Sequence, residues 1–171
     1  MSYGRTPEQR QADLVDSKAW EQDVARAIGP LIVDRTDSTT ELDFWIPGAV
    51  LETKEKKQPL TERWHLLPGV PEPDLFILDE LSYRKAAKHF PTAYFVIRDR
   101  PQDRVFVVSI TELVCQERAR VNRAGKGKHV YQTTHWTQIQ SLEEIVGHVM
   151  ADLISEPWKR SECIGKDVPQ V

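Results

Sequence analysis

Apolar residues recur along this chain with two different periods, and each period predicts an element. Trp20, Val24, Ala27 and Ile28 fall at i, i+4, i+7 and i+8. That is one buried stripe of a helix, which Asp16 or Ser17 would cap and Gly29-Pro30 would stop. Residues 31–33 read as a short strand and 37–40 as a turn. From 41 to 47 the period becomes two: Leu42, Phe44 and Ile46 point one way, Glu41, Asp43 and Trp45 the other. Pro47-Gly48 makes a tight turn into a strand over 49–56. On that strand Val50, Glu52 and Lys54 share one face, and Leu51 and Thr53 share the opposite face.

Residues 57–73 are irregular, punctuated by Pro59, Pro68, Gly69, Pro71 and Pro73. A loop of this length inside a compact domain is often functional. A short strand at 75–78 precedes a second helix, with Asp79 or Ser82 as cap. Its stripe is Tyr83, Ala86, Ala87 and Phe90, and Pro91 ends it. Strands at 93–98 and 104–109, joined by a turn at 99–103, form a hairpin. The last helix is signalled by a capping box of Ser141 and Glu144 and a stripe of Leu142, Ile145, Val146, Val149 and Leu153, with Pro157 after it.

This order predicts an α/β fold: a mixed central sheet flanked by helices. A chain of 171 residues suits one domain. Its expected limits are 16–157, with a flexible N-terminus over 1–15 and a loosely held tail over 158–171. A hydrophobic fraction of 40% supports a core, and no apolar run reaches the length needed to span a bilayer. The first residues lack an apolar signal core, so an intracellular, cytoplasmic protein with no membrane partner is expected. Cys115 and Cys163 read as free thiols. The net charge of −3 argues against a protein that coats nucleic acid by charge alone, yet it allows a local basic groove.

The chemistry concentrates at Asp43 and Glu52-Thr53-Lys54. Glu52 and Lys54 are neighbours on one strand face, roughly 7 Å apart along the strand, and the turn at Pro47-Gly48 brings Asp43 back beside them. Two carboxylates and an ammonium converge. Mg²⁺ prefers oxygen ligands, commonly one or two carboxylates with water and substrate phosphate. Asp43 and Glu52 can supply them, with the Thr53 carbonyl as a third oxygen. Lys54 can orient a water or stabilise charge at a phosphoryl group. An Asp flanked by Leu42, Phe44 and Trp45 is unusual in a strand.

Asp43, Glu52 and Lys54, in the spacing D-x8-E-x-K, resemble the signature of the PD-(D/E)xK nuclease superfamily, which includes restriction enzymes and Holliday junction resolvases. Leu42 stands in place of the proline. The resemblance implies an αβββαβ restriction endonuclease-like core, here followed by a C-terminal helix. It also implies a nuclease dependent on Mg²⁺ or Mn²⁺ that hydrolyses DNA, duplex or branched, in recombination, repair or phage biology. Asp43, Glu52 and Lys54 would be catalytic, and Asp43, Glu52, Thr53 and Glu21 on the first helix would hold the metal. Because two strands must be cut, a homodimer fits this class. The alternative is a nuclease-like fold that binds nucleic acid or protein without cutting.

Residues 116–129 form the most basic stretch. Arg120, Arg123, Lys126 and Lys128, with Gly125 and Gly127 between them, read either as a phosphate-tracking loop or as a solvated hairpin tip. Lys85, by analogy with the superfamily, would point from the second helix toward the phosphate. Tyr83 reads as a core residue, and Tyr131 and Trp136 read either as packing for the last helix or as a surface on which bases stack.

Overall fold

The computed structural model describes residues 6–155. Its first helix, α1 (Pro7–Ile28), starts well before the Asp16 and Ser17 caps expected from the sequence. Thr6 accepts from the Gln9 amide, and Gln9 returns the bond to the Thr6 amide. Pro7 at the first helical position completes the start signal. Much of the stretch read as a flexible N-terminus is therefore helix. The face of this part is polar and carries no apolar period. Trp20, Val24 and Ile28 are buried as the stripe required.

Strands β1 (Val33–Asp34), β2 (Phe44–Ile46) and β3 (Ala49–Lys56) form an antiparallel meander. Residues 29–31 turn as a 3-10 helix rather than joining β1. β4 (Leu75–Asp79) precedes α2 (Glu80–Ala87), and β5 (Ala93–Asp99) then returns parallel to β3. β6 (Arg104–Ser109) pairs antiparallel with β5. After α3 (Ile110–Cys115), strands β7 (Arg118–Arg123) and β8 (Lys126–Gln132) make a hairpin. β9 (Thr137–Ile139) and α4 (Glu144–Ser155) close the described chain.

The result is an α/β fold with two sheets. One is mixed and six-stranded, in the order β1-β2-β3-β5-β6-β9. The other is three-stranded, in the order β4-β8-β7. β4 thus leaves the main sheet, a split that local alternation does not encode. Its partner β8 arrives much later in the chain. Along residues 7–99 the order is helix, three strands, β4, helix and strand.

Two cores lie on the two faces of the large sheet. Trp20, Val24 and Ile28 of α1 pack with Phe44, Leu51, Val96, Ile145 and Val149. Val50, Phe95, Phe106, Leu78, Tyr131 and Trp136 pack on the other side, between the sheets. Leu42 belongs to this second core, whereas Phe44 and Ile46 belong to the first. The chain bends at Asp43, just before β2 begins, so the alternation expected over 41–47 breaks there. Phe90 is exposed rather than buried, because α2 ends at Ala87.

Only half of the expected capping box at α4 forms: the Ser141 amide donates to Glu144 Oε1 at 3.0 Å. Cys115 is disulfide-bonded rather than a free thiol. Cys163 and the tail expected over 158–171 lie outside the described residues, as do residues 1–5. No helix among the described residues is long and apolar enough to cross a membrane.

Candidate active site

The bend at Asp43 shapes the site. β2 follows β3 in register as far as Phe44 opposite Leu51, and then diverges. Thr53, further along β3, is left with an amide facing a missing strand. Asp43 fills that place with its side chain. Its Oδ2 accepts from the Thr53 amide at 2.7 Å and from Thr53 Oγ1 at 2.7 Å. A buried amide seldom goes unpaired, so this carboxylate is locked to β3.

Glu52 and Lys54 lie on the opposite face of β3 from Thr53, as the period of two requires. Glu52 is 4% exposed, although carboxylates are rarely buried. The Lys54 ammonium contacts Glu52 Oε1 and also donates to the Thr53 carbonyl at 3.1 Å. Glu52 Oε2 is buried with no hydrogen-bond partner. An orphan acceptor of this kind costs about 1–3 kcal/mol, and here the group is anionic or must take a proton. Burial, followed by the neighbouring Asp43, pushes the Glu52 carboxyl up, while the Lys54 ammonium opposes the shift.

Glu21 approaches from α1. Burial, and next the charge of Asp43, push its carboxyl up to about 7, against the opposing pull of Lys54. Glu21 and Glu52 therefore both feel Asp43, and both also feel the Lys54 ammonium. Lys85, on α2, is near enough to Glu52 to favour its ionised form. Among the described residues, however, no three His, Cys, Asp or Glu side chains are gathered tightly enough to enclose a metal ion. The convergence is looser than the sequence pattern alone suggests, because Asp43 is turned toward Thr53 and Lys54 occupies Glu52.

A divalent cation fits this donor set on two observations. The Lys54 ammonium already rests on Glu52 and on the Thr53 carbonyl, the two β3 oxygens proposed as ligands. Glu52 Oε2 is a buried oxygen that lacks a partner. Hard oxygen donors of this kind suit Mg²⁺ or Mn²⁺.

Glu21, Asp43 and Lys54 open into a groove of about 740 Å³; Glu52 is buried behind them and does not line it. Its floor is the end of β3, from Thr53 onward, and includes Gln58 just beyond the strand. One wall is the N-terminal part of α1, where Gln9, Asp13, Ser17 and Glu21 follow one another at intervals of four. That spacing places them on one helix face, a polar signal that an apolar search passes over. The opposite wall comes from Trp64, Arg63, Ile77 and Lys128.

The basic stretch is a hairpin, not an open loop. Its turn at Ala124-Gly125 has φ of 51° and 73°, a left-handed pair suited to a two-residue hairpin turn. Arg120 pairs with Glu80 at 2.7 Å, and Lys128 pairs with Asp79. Arg123 donates to the Arg63 carbonyl at 2.7 Å. Lys126 is exposed near the tip. Of these cations, Lys128 borders the carboxylate groove. Arg120 and Lys126 border a second groove of about 800 Å³, between the start of α2 and the hairpin, and Lys128 borders that one as well.

No family model matches this chain, and comparison with curated proteins and with solved structures gives no match.

Proposed function

We propose that this chain is a divalent-metal-dependent nuclease that hydrolyses DNA phosphodiester bonds at the end of β3. The observation that carries the reading is the buried, partnerless Glu52 Oε2 beside an ammonium resting on Glu52 and the Thr53 carbonyl. Buried carboxylate oxygens without a hydrogen-bond partner also occur in the Glu55–Arg100 and Asp99–Arg104 pairs; Glu52 differs in that burial and the neighbouring Asp43 push its carboxyl up.

In this reading Asp43, Glu52 and the Thr53 carbonyl hold Mg²⁺ or Mn²⁺, with Glu21 beside them. Bound there, the ion would supply Lewis acidity toward a phosphoryl oxygen and acidify a coordinated water. Thr53 keeps Asp43 oriented through two hydrogen bonds. Lys54, once displaced from Glu52, presents its ammonium at the groove, where it stabilises the charge that grows on the phosphoryl oxygens. Glu21 holds a proton near neutrality in the cation-free site, so cation uptake is expected to release one.

The test is cleavage of plasmid and branched DNA with Mg²⁺, with Mn²⁺ and in chelator, beside Asp43→Asn and Lys54→Ala. Activity that persists in either variant would overturn the assignment. A second reading, a binding module that does not cut, is favoured by the Lys54–Glu52 contact, which already neutralises one carboxylate. Calorimetry separates the two: the second reading requires that Mn²⁺ bind no better to the wild-type chain than to Asp43→Asn.

A further inference from the structure

The wall opposite α1 carries an aromatic arrangement that the carboxylate chemistry does not use. Trp64 lines the groove from the irregular segment after β3. The Arg123 guanidinium, from β7, lies over its ring at 4.7 Å from the centroid, and that of Arg63 lies at 5.4 Å. Arg123 also donates to the Arg63 carbonyl, tying this segment to the β7–β8 hairpin. Trp64 is thereby fixed at the rim although its own segment has little regular structure. Lys128 stands on the same wall and joins this groove to the second one.

We infer that this wall is a binding subsite for an unpaired DNA strand, with a base stacked on the Trp64–Arg63–Arg123 platform. The inference rests on the nuclease reading for the position of the scissile bond, but not for the stacking itself. Three observations carry it. Trp and guanidinium planes are the groups on which unpaired bases stack, and such stacking tolerates any sequence. The groove, at about 740 Å³, is half-open and has room for a nucleotide. The lysines that line the groove are spent on internal pairs: Lys54 on Glu52, Lys56 on Glu72, Lys57 on Asp13, Lys128 on Asp79. With the net charge at −3, tracking a duplex backbone by charge is weak, and stacking is left to supply affinity.

The experiment is fluorescence anisotropy with the full chain in chelator, so that no cleavage intervenes. The probes are a labelled oligothymidylate, a duplex of equal length and an oligouridylate. Binding of the oligothymidylate should exceed that of the duplex and fall only shallowly with salt. Trp64→Ala should weaken it about tenfold, Trp64→Phe should keep most of it, and duplex binding should not change. Duplex binding as tight as single-strand binding would overturn the inference, as would full single-strand affinity in Trp64→Ala. If Trp64→Phe loses as much affinity as Trp64→Ala, and both melt earlier than wild type, Trp64 is only an anchor for its segment and the inference falls. Tighter binding of oligouridylate would overturn the assignment to DNA. Trp64-dependent binding without metal-dependent cleavage would remove the nuclease reading and leave this one standing. Cleavage with unaltered binding in Trp64→Ala would do the reverse.

Discussion

Midway along β3, Glu52 keeps a buried carboxylate oxygen with no partner, and on α1 Glu21 is driven up to about 7 by burial and by Asp43. Across the groove, at the start of α2, Asp79 meets Lys128, and Glu80 meets both Arg84 and Arg120. Both regions are rich in charge. In one, burial and Asp43 outweigh the pull of Lys54; in the other, acids and bases are matched, and Glu80 is held below the usual carboxylate range by Arg120 first and Arg84 next. Matched pairs stabilise the fold a little and ask for nothing more. Unmatched, buried carboxylates cost stability, and such sites are where chemistry is commonly found. The contrast locates the candidate chemistry on the six-stranded sheet and assigns the hairpin mainly a supporting role.

The sharpest break of this contrast is Asp43→Asn or Lys54→Ala. Each should lower metal-dependent cleavage by about 10²–10³-fold, measured as plasmid nicking, with circular dichroism unchanged. Asp43→Asn keeps an oxygen for Thr53, so the fold should survive. A charge-matched pair such as Arg120–Glu80 offers the counterpart.

Next in size is an acid-side effect on the hairpin. His129 of β8 is buried against Tyr83 and Tyr131, and its Nδ1 has no partner. Burial, followed by Arg118, lowers its pKa from 6.5 to about 4. The unfolded chain therefore takes up a proton that the folded chain refuses. Stability present above pH 6.5 should be lost as pH falls toward 4, by about 2 kcal/mol. His129→Leu should flatten this slope in urea melts taken between those pH values.

The carboxylate site should show the opposite sign. Glu21 has a folded pKa raised from 4.5 to about 7. In chelator its contribution is present below pH 4.5 and lost as pH rises through about 7. The loss is about 1 kcal/mol, reduced because the side chain is partly solvated. Glu21→Gln should remove it, and Mn²⁺ should suppress it in the wild type. A slope unchanged by both would detach Glu21 from the site.

Smaller still is Gly127→Ala. A Cβ there would meet Glu80 Oε2 at 1.7 Å, forcing that side chain off Arg120 and Arg84. A loss of about 1 kcal/mol with intact cleavage is expected. Smallest is Arg120→Ala, an exposed pair whose removal should change melting by less than about 1 kcal/mol. If it instead reduced cleavage as Lys54→Ala does, the hairpin would share in the chemistry and the contrast would fail.

Much of this was legible in the residues. The strand over 49–56, set off by Pro47-Gly48, and the hairpin partners at 93–98 and 104–109, set off by the turn at 99–103, were legible, and the structure has them within a residue. The spacing of Glu52 and Lys54 set them on one face of β3. The polar half of α1 was not legible as helix by apolar period. Its signal lay instead in the Thr6–Gln9 box and in the four-residue spacing of Gln9, Asp13, Ser17 and Glu21. The Trp64–Arg123 contact was not legible at all, because a cation–π pair between residues so far apart leaves no local pattern.

By itself the sequence determined what is local: periods, turns, caps, and which side chains share a strand face. These depend on backbone geometry over a few residues. Tertiary structure alone decided that β4 leaves the main sheet to pair with β8. It also decided that Asp43 turns to serve Thr53, and that Glu52 is buried with one oxygen unmet. Each of these depends on burial and on partners distant in the chain, and burial is what turns an ordinary pair of carboxylates into a site that resists ionisation.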